Sequence, residues 1–197
     1  MEIGIIMKTI LLKNLLKEIS ENDTSSPLKY QMYVDMDGVL VNLDKGFKSV
    51  SGGLSPQEYE AKNGKNTFWK VVNKNPNFWL ELEPLPDAKV LWDYIKDTFK
   101  DPPAVILSAG QGNRITEQKT AWIRKHIDPS VRVIIASSGI NKPQYIINPT
   151  APSTTHILLD DTDKNITAWE NSGEGRIALL HKNAADSIKL IQSIISK

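Results

Sequence analysis

The sequence has no cysteine, which excludes disulfides, thiolate metal sites and a cysteine nucleophile. Histidine is scarce: His126, His156 and His181 are the only three, and their spacing suits no metal. Any metal must be held by oxygen or by one of these imidazoles, which read better as structural or surface residues. Surplus charge is also missing. The formal net charge is +1, so nothing in the composition favours nucleic acid or an anionic membrane as a partner. Long apolar runs are absent too. The N-terminal stretch "MEIGIIMKTILLKNLLKEIS" is cut by Lys8, Lys13 and Lys17, short of the roughly 20 uninterrupted residues a spanning helix needs. It lacks a basic segment ahead of its first apolar run and a small-residue cleavage site, so no secretory signal and a cytoplasmic location are expected. Leu11, Leu12, Leu15 and Ile19 share one helical stripe, which reads as a helix lying on the domain or on a partner; Met7 is an alternative start.

What is present is an alternation. "QMYVDM", "AVILSA", "VRVIIAS", "HILLDD" and "RIALLH" are short runs rich in Val, Ile and Leu, as strands covered on both faces tend to be. Helical patterns lie between them: "DAKVLWDYIKDTF", "NRITEQKTAWIRKHI", "NKPQYIIN", "DKNITAWENS" and "AADSIKLIQSIIS". Trp92, Trp122 and Trp169 fall on such helices and read as core. Alternating strands and helices imply right-handed crossovers and a doubly wound parallel α/β sheet. One interval breaks the rhythm, with about 65 residues between the first two strands where a βα unit needs roughly half that. A small helical cap inserted after the first strand accounts for it, placed over the carboxyl ends of the strands. The expected organisation is an extension and linker over residues 1–29, a core over 30–43 and 85–197, and a cap over 44–84. The linker is marked by the turn-rich "ENDTSSPLK".

The acids fall at strand ends. Asp35 and Asp37 close the first strand, and Asp160 and Asp161 close the fourth. Ser108 ends the second, and Lys142 opens the helix after the third. All lie on one edge of the predicted sheet, where open α/β folds bind ligands. Carboxylates repel one another, and oxygen-only ligation from separate strands suits a hard cation such as Mg²⁺. A hydroxyl, a lysine and glycine-flanked amides suit a phosphate. Together these are the parts for phosphoryl transfer through an aspartyl-phosphate. Lys119 and Lys164 also lie near strand ends and compete with Lys142, while Asp163 reads better as a helix cap.

"DMDGVL", "LSAG", "NKPQYI" and "LLDDTDKN" together resemble the four ordered motifs of the haloacid dehalogenase (HAD) superfamily of phosphatases, over residues 31 to about 180. Within it, "NFWLELEPLPDA", "KTAWIRKHI" and "TFW" are similar to segments of the 5'(3')-deoxyribonucleotidases. Two departures are visible: "LSAGQG" replaces a threonine-serine-proline run, and "DDTD" lacks a following arginine. The resemblance implies Asp35 as nucleophile and Mg²⁺ ligand, and Asp37 as general acid and base that also binds metal through its backbone carbonyl. It implies Asp161 and Asp160 as the rest of the metal site, with support from Asn165. Ser108 and the amides of Ala109 and Gly110 would hold phosphate oxygens, Lys142 would neutralise charge, and Gly38 would permit the turn. Phe68 and Trp69 could stack on a base or only fill the cap, as could Phe78 and Trp79. The implied substrate is a nucleoside monophosphate. Another small phosphate ester, a polynucleotide 3'-phosphate and a non-catalytic binding module of the same fold are the alternatives. Monomer and homodimer both stay open.

Overall fold

The computed structural model describes residues 29–148 and 154–196; the amphipathic stripe expected near the N-terminus lies outside them. Five strands form one parallel sheet: β1 (Lys29–Val34), β2 (Val105–Ala109), β3 (Val133–Ala136), β4 (Thr154–Asp160) and β5 (Arg176–Leu180), in the order β3-β2-β1-β4-β5. The five apolar runs read from sequence supply these strands. Their composition follows from burial on both faces. Along β1, Met32 and Val34 join one core cluster while Tyr33 joins the other, because alternate side chains leave opposite faces. The larger cluster packs α4 (Ala88–Thr98), α5 (Asn113–His126) and α7 (Ala184–Ile195) through Leu91, Trp122 and Ile191. The smaller one packs α6 (Asp163–Glu170) through Trp169. Fully burying each such side chain contributes ~1.5–3 kcal/mol.

Strand order fixes where a ligand can sit. The chain winds from β1 outward to β3, then returns across the sheet to β4 beside β1. The carboxyl ends of β1 and β4 therefore flank the switch point, where helices run off in opposite directions and leave a crevice.

Between β1 and α4 the chain forms α1 (Leu43–Ser51), α2 (Pro56–Asn63), α3 (Thr67–Lys74) and a 3₁₀ turn at Phe78–Leu80. Helix α2 begins with a capping box, Ser55 with Glu58, and Pro56 at its first position. The two ends of the insert leave the core side by side, where Asn42 N–H donates to the Glu83 carbonyl at 2.9 Å and Leu85 N–H to the Leu40 carbonyl at 2.9 Å. One face of α5 fastens the returning limb. Arg114 Nη2 donates to Asn73 Oδ1 at 3.0 Å, Gln118 Nε2 to the Pro76 carbonyl at 2.5 Å, and Trp122 Nε1 to the Leu82 carbonyl at 2.7 Å. Their spacing of four keeps the three donors on one side of the helix. The segment "NKPQYI", expected as an α-helix, is a 3₁₀ helix over Gly139–Tyr145. Pro143 inside it has no N–H to give an α-helical ladder.

Candidate active site

β1 ends on the buried run Met32, Tyr33 and Val34, and the carboxylate of Asp35 then emerges at the switch point. Its backbone stays in register, with Asp35 N–H donating to the Leu159 carbonyl at 2.9 Å. Its side chain is nearly buried, and Oδ1 accepts from Met36 N–H at 2.7 Å and lies 3.0 Å from Lys142 Nζ. Lys142 also donates to Asp160 Oδ2 at 2.5 Å. Asp160 is held from the other side, where Asn165 Nδ2 reaches Oδ1 at 3.0 Å and Thr162 N–H reaches the same oxygen at 2.9 Å. Burial by itself would lower the Lys142 pKa, but Asp35 and Asp160 outweigh it and hold the ammonium above its usual value. Burial, reinforced by Asp35, pushes Asp160 up against the opposing pull of Lys142.

Asp37 and Asp161 line the same cleft of about 540 Å³ with Asp35, Ala109, Lys142 and Asn165. Asp161 is exposed as a residue, yet its carboxyl has lost much of its water and faces Asp35 and Asp160, which pushes its pKa up to about 7. Gly38 adopts φ +74°, and a Cβ there would overlap the Asp161 carboxylate, so the turn after β1 admits glycine for two reasons. Burial also pushes Asp37 up, with Lys119 opposing and Asp35 adding to the rise.

These residues fit a divalent cation. Asp35, Asp160 and Asp161 each offer an oxygen within 4.8 Å of the others. Four carboxylates here meet two buried ammoniums, Lys142 and Lys119, which leaves a formal double negative charge in the group. An oxygen-only donor set with that imbalance suits Mg²⁺. Asp160 is already engaged by Lys142 and Asn165, so of these three Asp35 and Asp161 are the ones that face the cleft.

Two sequence expectations come out differently, and one open alternative is decided. The Gly110 amide donates to the Ala136 carbonyl at 2.9 Å, continuing the β2–β3 ladder, and is not available to a phosphate oxygen. Ala109 lines the cleft, whereas Ser108 is fully buried behind it and accepts from Lys119 Nζ at 3.1 Å. Phe68 and Trp69 are not brought to the cleft. Phe68 stacks on buried Phe47 at 4.9 Å and meets Trp69 edge-on at 5.0 Å. These rings are cap core, packed with Phe47 between the short cap helices. Phe78 and Trp79 are buried as well.

Lys119 is the residue that sequence reasoning undervalued. It is fully buried and bonds Asp37, Ser108 and the Ala109 carbonyl. A signal existed: the inward stripe of α5 is Ile115, Lys119, Trp122 and Ile123, and a lysine on such a stripe needs a buried partner. Lys164, its rival, is exposed.

A solved haloacid dehalogenase-like hydrolase from Burkholderia xenovorans superposes with a TM-score of 0.53 at 13% identity, covering 87% of this chain and all of that one. The chain has the HAD-like fold. Two weaker alignments are the HAD domain of effector protein Lem4 from Legionella pneumophila (TM-score 0.42, 13% identity, 86% and 99% coverage) and the Pnkp1/Rnl/Hen1 complex. The latter has a TM-score of 0.48 at 12% identity and covers 82% of this chain but 48% of that one. No family model matches the chain, and neither does any curated protein. Within this HAD-like fold, the carboxylates sit where β1 and β4 end, and the helical insert closes over them. No helix among the described residues is long and apolar enough to cross a membrane.

Proposed function

We propose that the protein is a Mg²⁺-dependent phosphomonoesterase working through an aspartyl-phosphate. The supporting observation is the Asp35–Lys142 contact at 3.0 Å, in a cleft shared with Asp37 and Asp161 at the switch point. A carboxylate oxygen of Asp35 attacks phosphorus, and the ester P–O bond breaks. The leaving oxygen takes its proton from Asp37. Asp37, then a carboxylate, removes a proton from water, which attacks phosphorus, releases phosphate and restores Asp35. Lys142 offsets negative charge on both nucleophile and phosphoryl group throughout. A divalent cation held by Asp35 and Asp161 would supply further neutralisation of the phosphoryl oxygens.

The finer reading is a 5'-nucleotidase for deoxynucleoside or nucleoside monophosphates. The motif resemblance supports it, and the cleft volume of about 540 Å³ suits a ligand of that size. On the cap side the cleft offers Leu43, Asp44, Pro56 and Gln57, so base contacts would use apolar edges and an amide rather than stacked rings. A panel of nucleotides and sugar phosphates, assayed with Mg²⁺ and with chelator, tests both levels. Turnover that needs Mg²⁺ and is fastest on a nucleotide is expected. Sugar phosphates beating every nucleotide would overturn the nucleotidase, and no hydrolysis of any ester would overturn the phosphatase.

A further inference from the structure

We propose that Lys119 is a positioning residue for Asp37, fixing the carboxyl that exchanges the proton with the leaving group. This assignment rests on the phosphatase reading above. A lysine ammonium has three N–H donors, and here each has an acceptor: Asp37 Oδ2, Ser108 Oγ at 3.1 Å and the Ala109 carbonyl at 2.7 Å. The Trp79 ring closes the remaining side, with its centroid 3.9 Å from Nζ. With 0% exposure the ammonium reaches neither water nor a ligand in the cleft, so it works only through the groups it touches.

Those contacts leave the two oxygens of Asp37 unequal. Oδ2 is gripped by Lys119, while Oδ1 is buried without a hydrogen-bond partner, on a side chain that lines the cleft. A carboxyl torsion is broad and two-fold when free. Pinning one oxygen fixes the plane of the carboxyl in the cleft wall. A general acid must come within about 2.6–3.2 Å of the leaving oxygen, so a fixed presentation raises the fraction of encounters that can transfer a proton. As the P–O bond breaks, its electron pair goes to the leaving oxygen, which takes the proton from Asp37, and Asp37 ends as a carboxylate still held by Lys119. Lys142 cannot substitute, since its acceptors are Asp35 and Asp160.

The competing view is that Lys119 only neutralises a buried acid. The two views separate by leaving group in the full-length protein with Mg²⁺. Single-turnover phosphorylation is measured on 4-nitrophenyl phosphate, whose leaving group needs little protonation, and on a simple alkyl phosphate, whose leaving group needs it. Lys119→Met should lose about 10²-fold on the alkyl ester, the usual worth of general acid catalysis, and only a few-fold on the aryl ester. Equal losses on both esters, or none, overturn the assignment. Should Lys119→Met alone not fold, Lys119→Met with Asp37→Asn removes both charges together, which buried pairs tolerate better than losing one. The double variant must then match Asp37→Asn on the alkyl ester, and a further drop overturns the assignment. Wild-type protein inert on both esters overturns the phosphatase reading and this assignment with it, whereas an active wild type with an evenly impaired variant overturns the assignment alone.

Discussion

Asp35 and Asp160 share a single ammonium, with Lys142 Nζ lying 3.0 Å from one and 2.5 Å from the other. Two strands that meet at the switch point are thereby tied by one side chain from a third segment. Removing it would leave two buried like charges, which is strongly destabilising. Lys142→Ala is expected to abolish turnover and also to lower the unfolding midpoint, read by kinetics and by thermal denaturation. A variant that keeps wild-type stability would show that the ion triad is weaker than its geometry implies.

Asp35→Asn should abolish hydrolysis of every ester, because the amide is nearly isosteric but a far poorer nucleophile. Wild-type turnover by the purified variant on any substrate would rule out the covalent route. Beryllium fluoride should bind the wild type against Asp35 and Lys142 and fail to bind the variant.

Phe68→Ala and Trp69→Ala should act on stability rather than on substrate choice. Both rings are half-buried in the Phe47 cluster, so each loss should be about 1–3 kcal/mol, below the ~3–5 kcal/mol of a fully buried aromatic. Thermal denaturation should show the loss, and kcat/KM ratios among substrates should stay level. A rise in KM confined to nucleotides would return these rings to the binding surface.

Gly38→Ala combines a residue at φ +74° with an overlap on the Asp161 carboxylate. The backbone cost alone is about 1–2 kcal/mol. Mg²⁺ affinity, followed by calorimetry, should fall more than stability does. Unchanged affinity would remove Asp161 from the metal site.

His156 supplies a pH prediction away from the site. Burial, with Arg176 adding, lowers its pKa from the ordinary 6.5 to about 4. The unfolded chain therefore binds more protons between those values, so stability is complete above about 6.5 and declines as pH falls towards 4. Urea unfolding across that range should show the decline, and His156→Phe should flatten it.

The sheet was legible because strands buried on both faces are mostly apolar, and four runs rich in Val, Ile and Leu stand out beside the Met-Tyr-Val of β1. The acids were legible because strand ends can be located and because paired carboxylates need a reason. Lys119 was not, since its partner Asp37 lies 82 positions away and only packing shows that the lysine faces inward. Nor was the fate of the Gly110 amide, which depends on how far the β2–β3 ladder runs. Phe68 and Trp69 were undecidable because aromatic content carries no direction: the same rings serve a ligand or a core according to which side of a short helix faces the cleft.

The paired amides at Leu40–Leu85 and Asn42–Glu83 bring both ends of the insert to one doorway in the core. A segment that enters and leaves through one doorway closes a loop whose entropy grows only slowly with length. The exchangeable part of the lid is α2, which buries no residue yet lines the cleft through Pro56 and Gln57. The limb that carries Trp79, by contrast, is tied to Lys119. Substrate range can therefore drift at α2 while the chemistry beneath stays fixed.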